Sequence, residues 1–229
     1  MRKSKSTVAF ASLRPSLIGL GFAFYGDGEQ SDPEATILDI LRLSENDPKV
    51  FRMLLSWLDK TRDLIHVERL RVLAGDLTDK SALIFLGVLA LKQVKCGDRR
   101  FSILVDFVKS KSGKGVSVRP SLQRDADPFL MEKYGVDLEF QEFGIESEKT
   151  APADPKKILT LEAIMAQNPW LRFRALIGAN FRADMAYVMA HKLAQNPYQA
   201  AKLVGCSQET AYRLWKGLLL YPQLGNLAA

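Results

Sequence analysis

The chain has 229 residues, of which 47% are hydrophobic and 25% charged, and its net charge is +6. These values are typical of a globular protein with one large or two small domains, not of a disordered chain. The two cysteines, Cys96 and Cys206, are too few and too scattered for a disulfide framework or a zinc site. We therefore expect no metal and no cofactor.

The N-terminal segment, residues 1–24, resembles a signal peptide only in part. Its basic start is followed by apolar residues, but Arg14 and Pro15 interrupt them, and no small-x-small cleavage site clearly follows. We interpret it as a basic arm leading into a short helix or strand, with a targeting segment as the alternative. No apolar run reaches the roughly 20 residues that span a membrane. The sequence therefore predicts a cytoplasmic protein.

Residues 1–108 predict a helical N-terminal domain. A loop rich in Gly, Asp and Pro covers residues 25–33. Capping residues and apolar periodicity then predict four helices, Pro33–Leu43, Pro48–Lys60, His66–Ala74 and Ser81–Lys92. The following run, Phe101–Val108, is consistent with either a helix or a strand.

Residues 109–154 predict a loop-rich connector. Two pieces within it, Val136–Phe140 and Phe143–Ile145, are predicted to be short and extended. The polar run Glu146–Pro155 contains two prolines and is the predicted domain boundary. The run Lys111–Val116 (KSGKGV) lacks the spacing of a phosphate-binding loop, and a flexible loop explains it better.

Residues 155–229 predict a helix-turn-helix domain. Three helices, Leu159–Gln167, Asn168–Gly178 and Asn180–Lys192, are predicted to supply an apolar layer. Leu176 and Leu193 are expected to belong to that layer.

The helix-turn-helix itself is the run from Pro197 to Lys216, and its second helix, Ser207–Leu219, is predicted to enter the major groove. Pro197 suits the first turn of its first helix. Gly205 suits a sharp turn and Ser207 can cap the second helix, while the small Ala201 lets the two helices cross closely. An ordinary helical bundle is the alternative interpretation of this pattern.

The outward face of the helix pair predicts double-stranded DNA as the partner. Residues 155–229 hold nine Lys and Arg against three Asp and Glu, so they carry the whole net charge of +6. Such an excess attracts phosphates, although solubility alone also explains it. Gln208 and Arg213 are the predicted base readers, and Tyr198, Gln199, Lys202 and Lys216 the predicted phosphate contacts. The full predicted DNA-binding set is Tyr198, Gln199, Lys202, Ser207, Gln208, Glu209, Thr210, Tyr212, Arg213 and Lys216.

A family resemblance covers residues 168–218. The pattern consists of Leu171, Arg172, Arg174, Ala175, Leu176, Gly178, Asn180, Arg182, Ala183 and Asp184, then Gly205, Ser207, Gln208 and Thr210. It resembles winged-helix bacterial transcriptional regulators of the MarR and ArsR type, in a poorly described subgroup. The resemblance implies DNA binding through the second helix, as a homodimer. It also implies a β-hairpin wing, for which the residues after Gly217 leave little or no room.

The predicted fold is therefore mainly α, with an N-terminal helical domain and a C-terminal (winged) helix-turn-helix domain with little or no wing. Arg172, Arg174 and Arg182 are expected either to reach the DNA backbone or to pair with Asp184 and other carboxylates.

A protein-interaction adaptor, or the antitoxin-like half of a two-protein system, is the alternative function. Its N-terminal domain would hold the partner, and Phe51 and Trp57 there are expected to be core residues. The sequence offers little for an enzyme, because His66 and His191 have no Cys or carboxylate at a catalytic spacing. We predict no catalytic residues.

Overall fold

A computed structural model of the chain describes residues 5–112, 128–149 and 153–221. Within these residues it has thirteen α-helices, four short 3-10 turns and two isolated β-bridges, and no strand. The prediction of a mainly α fold is confirmed. None of the helices in these ranges is long and apolar enough to cross a membrane.

Six helices make up the N-terminal part. They are α1 (Lys5–Gly19), α2 (Pro33–Ser44), α3 (Pro48–Thr61), α4 (Val67–Leu73), α5 (Lys80–Lys95) and α6 (Ser102–Ser112). The four predicted helices are all present, and the run after Phe101 is helical. The start points follow from capping, because Asp32, Asp47 and Asp79 each accept a hydrogen bond from a backbone N–H of the first turn.

Helix α5 lies at the centre of these helices and packs most extensively on α6 and α2. Every residue from Ser81 to Ala90 is buried. A helix that is apolar on all sides is buried on all sides. A Cβ at Gly87 would lie 2.3 Å from the ring of Phe143, so a larger residue there would displace that ring.

The connector is more helical than the sequence suggests. It contains α7 (Pro128–Tyr134) and α8 (Leu138–Gln141), so the predicted extended piece Val136–Phe140 is wrong from Leu138 onward. The reason is Asp137, whose carboxylate accepts from the backbone N–H groups of the next turn and starts a helix. Val136 itself is extended and forms an antiparallel bridge with Glu148. The second piece, Phe143–Ile145, is a turn. Most of the predicted loop Lys111–Val116 lies outside the described residues.

Five helices complete the described chain. They are α9 (Leu161–Gln167), α10 (Pro169–Ile177), α11 (Phe181–Ala190), α12 (Pro197–Val204) and α13 (Gln208–Leu218). The three helices predicted before the helix-turn-helix are present, but two of their expected core residues are not buried. Leu176 is 63% exposed, and Leu193, which follows the end of α11, is 47% exposed. Any wing after Tyr221 lies outside the described residues.

The apolar core has two clusters that meet in α10. One contains residues from Leu13 to Leu171, and the other contains residues from Trp170 to Leu218. The apolar contacts therefore divide within α10, about 15 residues after the predicted boundary at residue 155. The helices after that boundary pack on both clusters, which places the N-terminal helices directly beside the helix-turn-helix.

Candidate nucleic-acid interface

The first helix of the pair, α12, starts and packs as its residue types require. The side chain of Asn196 accepts from the backbone N–H of Gln199 (2.9 Å), and Pro197 follows the cap. Ala200, Ala201 and Val204 are buried against α11 and α13. The small side chain of Ala201 allows the close approach of α13.

The turn between the helices depends on Gly205. This residue has φ 77° and ψ 31°, the left-handed conformation that glycine adopts without strain. The N–H groups of Gly205 and Cys206 both donate to the carbonyl of Ala201, which closes the end of α12. Ser207 then caps α13, because its hydroxyl accepts from the N–H of Thr210 (3.2 Å).

The second helix, α13, is anchored through one face only. Ala211 and Leu218 are buried, and Leu214 and Trp215 are half-buried against α11 and α12. The opposite face is solvent-exposed. Helices α11, α12 and α13 thus form a three-helix unit in which α13 projects an uncovered surface.

The predicted DNA-binding residues all lie on this unit, and nine of the ten are exposed. Thr210 is the exception, because its hydroxyl lies half-buried beside Ser207. Tyr212 is 67% and Tyr198 52% exposed. The exposed set is Tyr198, Gln199, Lys202, Ser207, Gln208, Glu209, Tyr212, Arg213 and Lys216.

Some polar groups of this face are already engaged within the chain. The Oε1 of Gln199 accepts from the N–H of Gln195 (2.9 Å), so its amide N–H₂ is the group left for a phosphate. The ammonium of Lys202 lies 4.5 Å from the ring centroid of Tyr198. Within the described ranges no carboxylate lies within ion-pairing distance of Arg213 or Lys216.

A buried ionic cluster joins this unit to the N-terminal helices. Its centre is the carboxylate of Glu34, which is fully buried in the first turn of α2. Glu34 accepts from the N–H of His66 (3.1 Å), from Arg69 (2.7 Å) and from both terminal nitrogens of Arg174 (2.6 and 2.7 Å). All four donors are buried, so the carboxylate is satisfied entirely by protein.

The second carboxylate of the cluster is Asp184 on α11. Its Oδ1 accepts from Arg174 Nε (2.7 Å) and from Trp170 Nε1 (2.6 Å), and its Oδ2 accepts from His66 Nδ1 (2.6 Å). The ring of His66 also packs edge-on against Phe181. Asp184 therefore links α11 to α10 and to the start of α4.

The charges of the cluster stabilise one another. Burial alone would raise the pKa of Asp184, but the charge of Arg174 and the hydrogen bonds from His66 and Arg174 hold that pKa well below its usual range. Burial alone would lower the pKa of Arg69, yet Asp32 and Glu34 raise it. The pKa of Arg174 is raised for the same reason by Glu34 and Asp184. Both guanidinium groups consequently stay charged.

The three arginines before the helix-turn-helix have different surroundings. Arg174 is buried and pairs with Asp184, as one of the two sequence-based alternatives predicted, and also with Glu34. Arg182 is exposed, and Arg172 is half-buried. The sequence gives no indication that Glu34, Asp32 and Arg69 come together, because no local pattern links α2, α4 and α12.

The two histidines and Cys206 occupy partly or fully enclosed positions. The partner of His66 is Asp184, which lies 118 residues further along the chain and therefore at no local spacing from it. His191 packs beside Phe173 and Tyr187, and burial together with the charge of Arg172 lowers its pKa. Cys206 is half-buried under the turn, and burial raises the pKa of its thiol.

No group of three or more His, Cys, Asp or Glu with metal-binding geometry occurs in the described part of the chain. Comparison with known proteins found no matching family model, no matching curated protein and no matching solved structure.

Proposed function

We propose that the chain is a sequence-specific DNA-binding transcriptional regulator that reads the major groove with α13. The observation that carries this proposal is the one-sided anchoring of α13. One face packs on α11 and α12, and the other presents amide, aromatic and basic groups to solvent. The major groove admits an α-helix with such a face.

Gln208 and Arg213 are the proposed base readers. A glutamine side chain can form paired hydrogen bonds with adenine, and an arginine with guanine O6 and N7. Both side chains are exposed, and they lie five residues apart on α13. Ser207 and Thr210 are proposed further contacts, and the hydroxyl of Ser207 also caps α13 through the N–H of Thr210.

Phosphate contacts are proposed for Lys202 and Lys216, with Tyr198 and the amide N–H₂ of Gln199 beside them. All four side chains are exposed. Glu209 is an acid on the same face, where it disfavours phosphate but suits the positive end of α13. The basic excess of residues 155–229 supplies the long-range attraction that such contacts need.

A homodimer is the assembly that the family resemblance implies, and the cytoplasm is the location proposed from the N-terminal segment. The N-terminal helices would be the site of any further protein partner. Phe51 and Trp57 are not available for that purpose, because they are 1% and 0% exposed. Their burial confirms the expectation that both are core residues.

The proposed function is tested by selecting binding sites from a random pool of DNA duplexes with the purified chain. Binding of the enriched duplex is then measured for wild type, Arg213→Ala and Arg99→Ala. Arg99 is an exposed arginine in the turn before α6 and serves as the matched control.

Loss of one paired contact to guanine is expected to weaken binding of the Arg213→Ala variant about fivefold to 150-fold, while the control binds as wild type does. Failure to enrich any sequence, or equal affinity of the Arg213→Ala variant and wild type, would contradict the proposal.

A further inference from the structure

Arg69 on α4 contacts the end of the first helix of the pair, at the turn before α13. Its Nε donates to the carbonyl of Val204 (2.8 Å), and its Nη2 donates to the carbonyl of Leu203 (3.0 Å). The last carbonyls of a helix have no partner within the helix, and they carry its negative partial charge. A guanidinium at this position donates hydrogen bonds to these carbonyls and places a positive charge beside their negative partial charge.

The same guanidinium also binds two carboxylates at the start of α2. Nη1 and Nη2 donate to the two carboxylate oxygens of Asp32, and Nη1 also donates to Glu34 (2.7 Å). The group lies 4.6 Å from the ring centroid of Trp170. Arg69 is therefore bracketed by the start of α2 on one side and by the end of α12 on the other.

Helix α4 also lies beside the turn at Gly205. A Cβ added to Gly205 would lie 3.7 Å from Val72 Cγ1 and 4.0 Å from Arg69 Cγ. These are ordinary contact distances, so the turn lies beside α4 with room for no more than a methyl group between them.

Arg69 is 1% exposed and has no surface to offer a nucleic acid. We infer that Arg69 is a positioning residue that clamps the helix-turn-helix onto the N-terminal helices and so fixes the angle at which α13 is presented. Only the planar guanidinium group can donate to the carbonyls of α12 and to the carboxylates at the start of α2 at the same time, and a lysine ammonium does not replace it. The effect on DNA rests on the proposed function, whereas the clamp itself does not.

The clamp is tested without DNA through Cys206, which lies half-buried under the turn. In a Cys96→Ser background Cys206 is the sole thiol, because the chain has two cysteines. The rate at which a thiol reagent labels it is measured in the folded protein for Arg69→Lys and for Asp32→Asn. Asparagine caps a helix as well as aspartate does, so the second variant keeps α2 while weakening the hold on Arg69.

Arg100→Lys is the matched control. Arg100 also pairs with a carboxylate, that of Asp98, and donates to two main-chain carbonyls, those of Arg62 and Ile65, but it does not contact the helix-turn-helix. Labelling is expected to accelerate about tenfold in the Arg69→Lys variant, since the charge-assisted hydrogen bonds from Arg69 to the carbonyls of Leu203 and Val204 are lost. A smaller acceleration is expected for Asp32→Asn and none for Arg100→Lys.

The second arm measures DNA affinity on the enriched duplex and on an unrelated one. The Arg69→Lys and Asp32→Asn variants are expected to lose about tenfold in affinity for the enriched duplex, as one misplaced base contact would cause. Affinity for the unrelated duplex is expected to stay within about twofold, because the phosphate-contacting residues are unchanged.

Unchanged labelling of Cys206 in both variants overturns the clamp, whatever the DNA arm shows. If Arg69→Lys does not fold, Asp32→Asn alone decides this outcome. Faster labelling with unchanged affinity for the enriched duplex overturns the positioning role. If wild type enriches no duplex, the proposed function fails, and the labelling arm still decides whether the clamp exists.

Discussion

The strongest prediction for stability concerns the carboxylate at the centre of the buried cluster. Glu34 accepts four hydrogen bonds, three of them from Arg69 and Arg174. A Glu34→Gln substitution keeps the shape of the side chain but removes the charge and one acceptor oxygen. The new amide N–H₂ then faces guanidinium donors, so two buried cations each lose a partner.

The expected cost follows from the burial of these groups. Removing one partner of a buried ion pair lowers the free energy of unfolding by about 3–5 kcal/mol, because a buried charge is left uncompensated. The whole free energy of unfolding of a domain is about 5–15 kcal/mol. At about 2–4 °C per kcal/mol for a chain of this size, the melting temperature should fall by roughly 6–20 °C.

Thermal unfolding of wild type and of Glu34→Gln, followed by circular dichroism, measures this difference. Asp39→Asn is the matched control, since Asp39 pairs with Arg42 on the exposed surface, where both side chains are about half exposed. An exposed pair is worth about 0–1 kcal/mol, so the control should melt close to wild type. A Glu34→Gln variant that melts within about 2 °C of wild type would refute the argument.

Three further predictions follow from single residues. The low pKa of Asp184 stabilises the fold above the unfolded pKa of about 4, and this contribution is lost as the pH falls through the folded pKa. The difference in unfolding free energy between wild type and Asp184→Asn should therefore shrink from pH 5 to pH 2, whereas a constant difference would contradict it. Burial, with the charge of Asp32, raises the pKa of Tyr187 to about 12, so its stabilising effect is complete below the unfolded pKa of about 10 and is lost toward pH 12. Absorbance titration should show a late ionisation step that Tyr187→Phe lacks; identical titrations in both proteins would count against it. Lys192 has φ 54°, so Lys192→Gly should raise the free energy of unfolding by up to about 1 kcal/mol in urea titrations, and a loss of stability would contradict this expectation.

The helices could be predicted where their signals are local. Asp32 and Asp47 stand directly before Pro33 and Pro48, and a cap followed by proline starts a helix in a way that depends on adjacent residues alone. Gly205 marks the turn for an equally local reason. The prediction of an extended piece at Val136–Phe140 failed from Leu138 onward, because the cap formed by Asp137 starts a helix there.

The buried cluster could not be predicted, because its partners are far apart in sequence. Glu34 and Arg174 are 140 residues apart, and Arg69 and Val204 are 135 residues apart. Charged residues are mostly exposed, so periodicity gives no reason to bury them. Only the packing of α2, α4, α10 and α12 around one point brings these groups together. The pairing of Arg174 with Asp184 was open to prediction since both lie in neighbouring helices of the same region.

The central claim, DNA reading by α13, is tested most directly by titrating binding of a selected duplex against salt. Lys202 and Lys216 are the proposed cationic phosphate contacts, so the logarithm of affinity should fall with the logarithm of salt with a slope of about −2 for one subunit and about −4 for a dimer. The selected duplex should bind more tightly than an unrelated one throughout the titration. Affinity that does not change with salt, or equal affinity for both duplexes, would contradict the account.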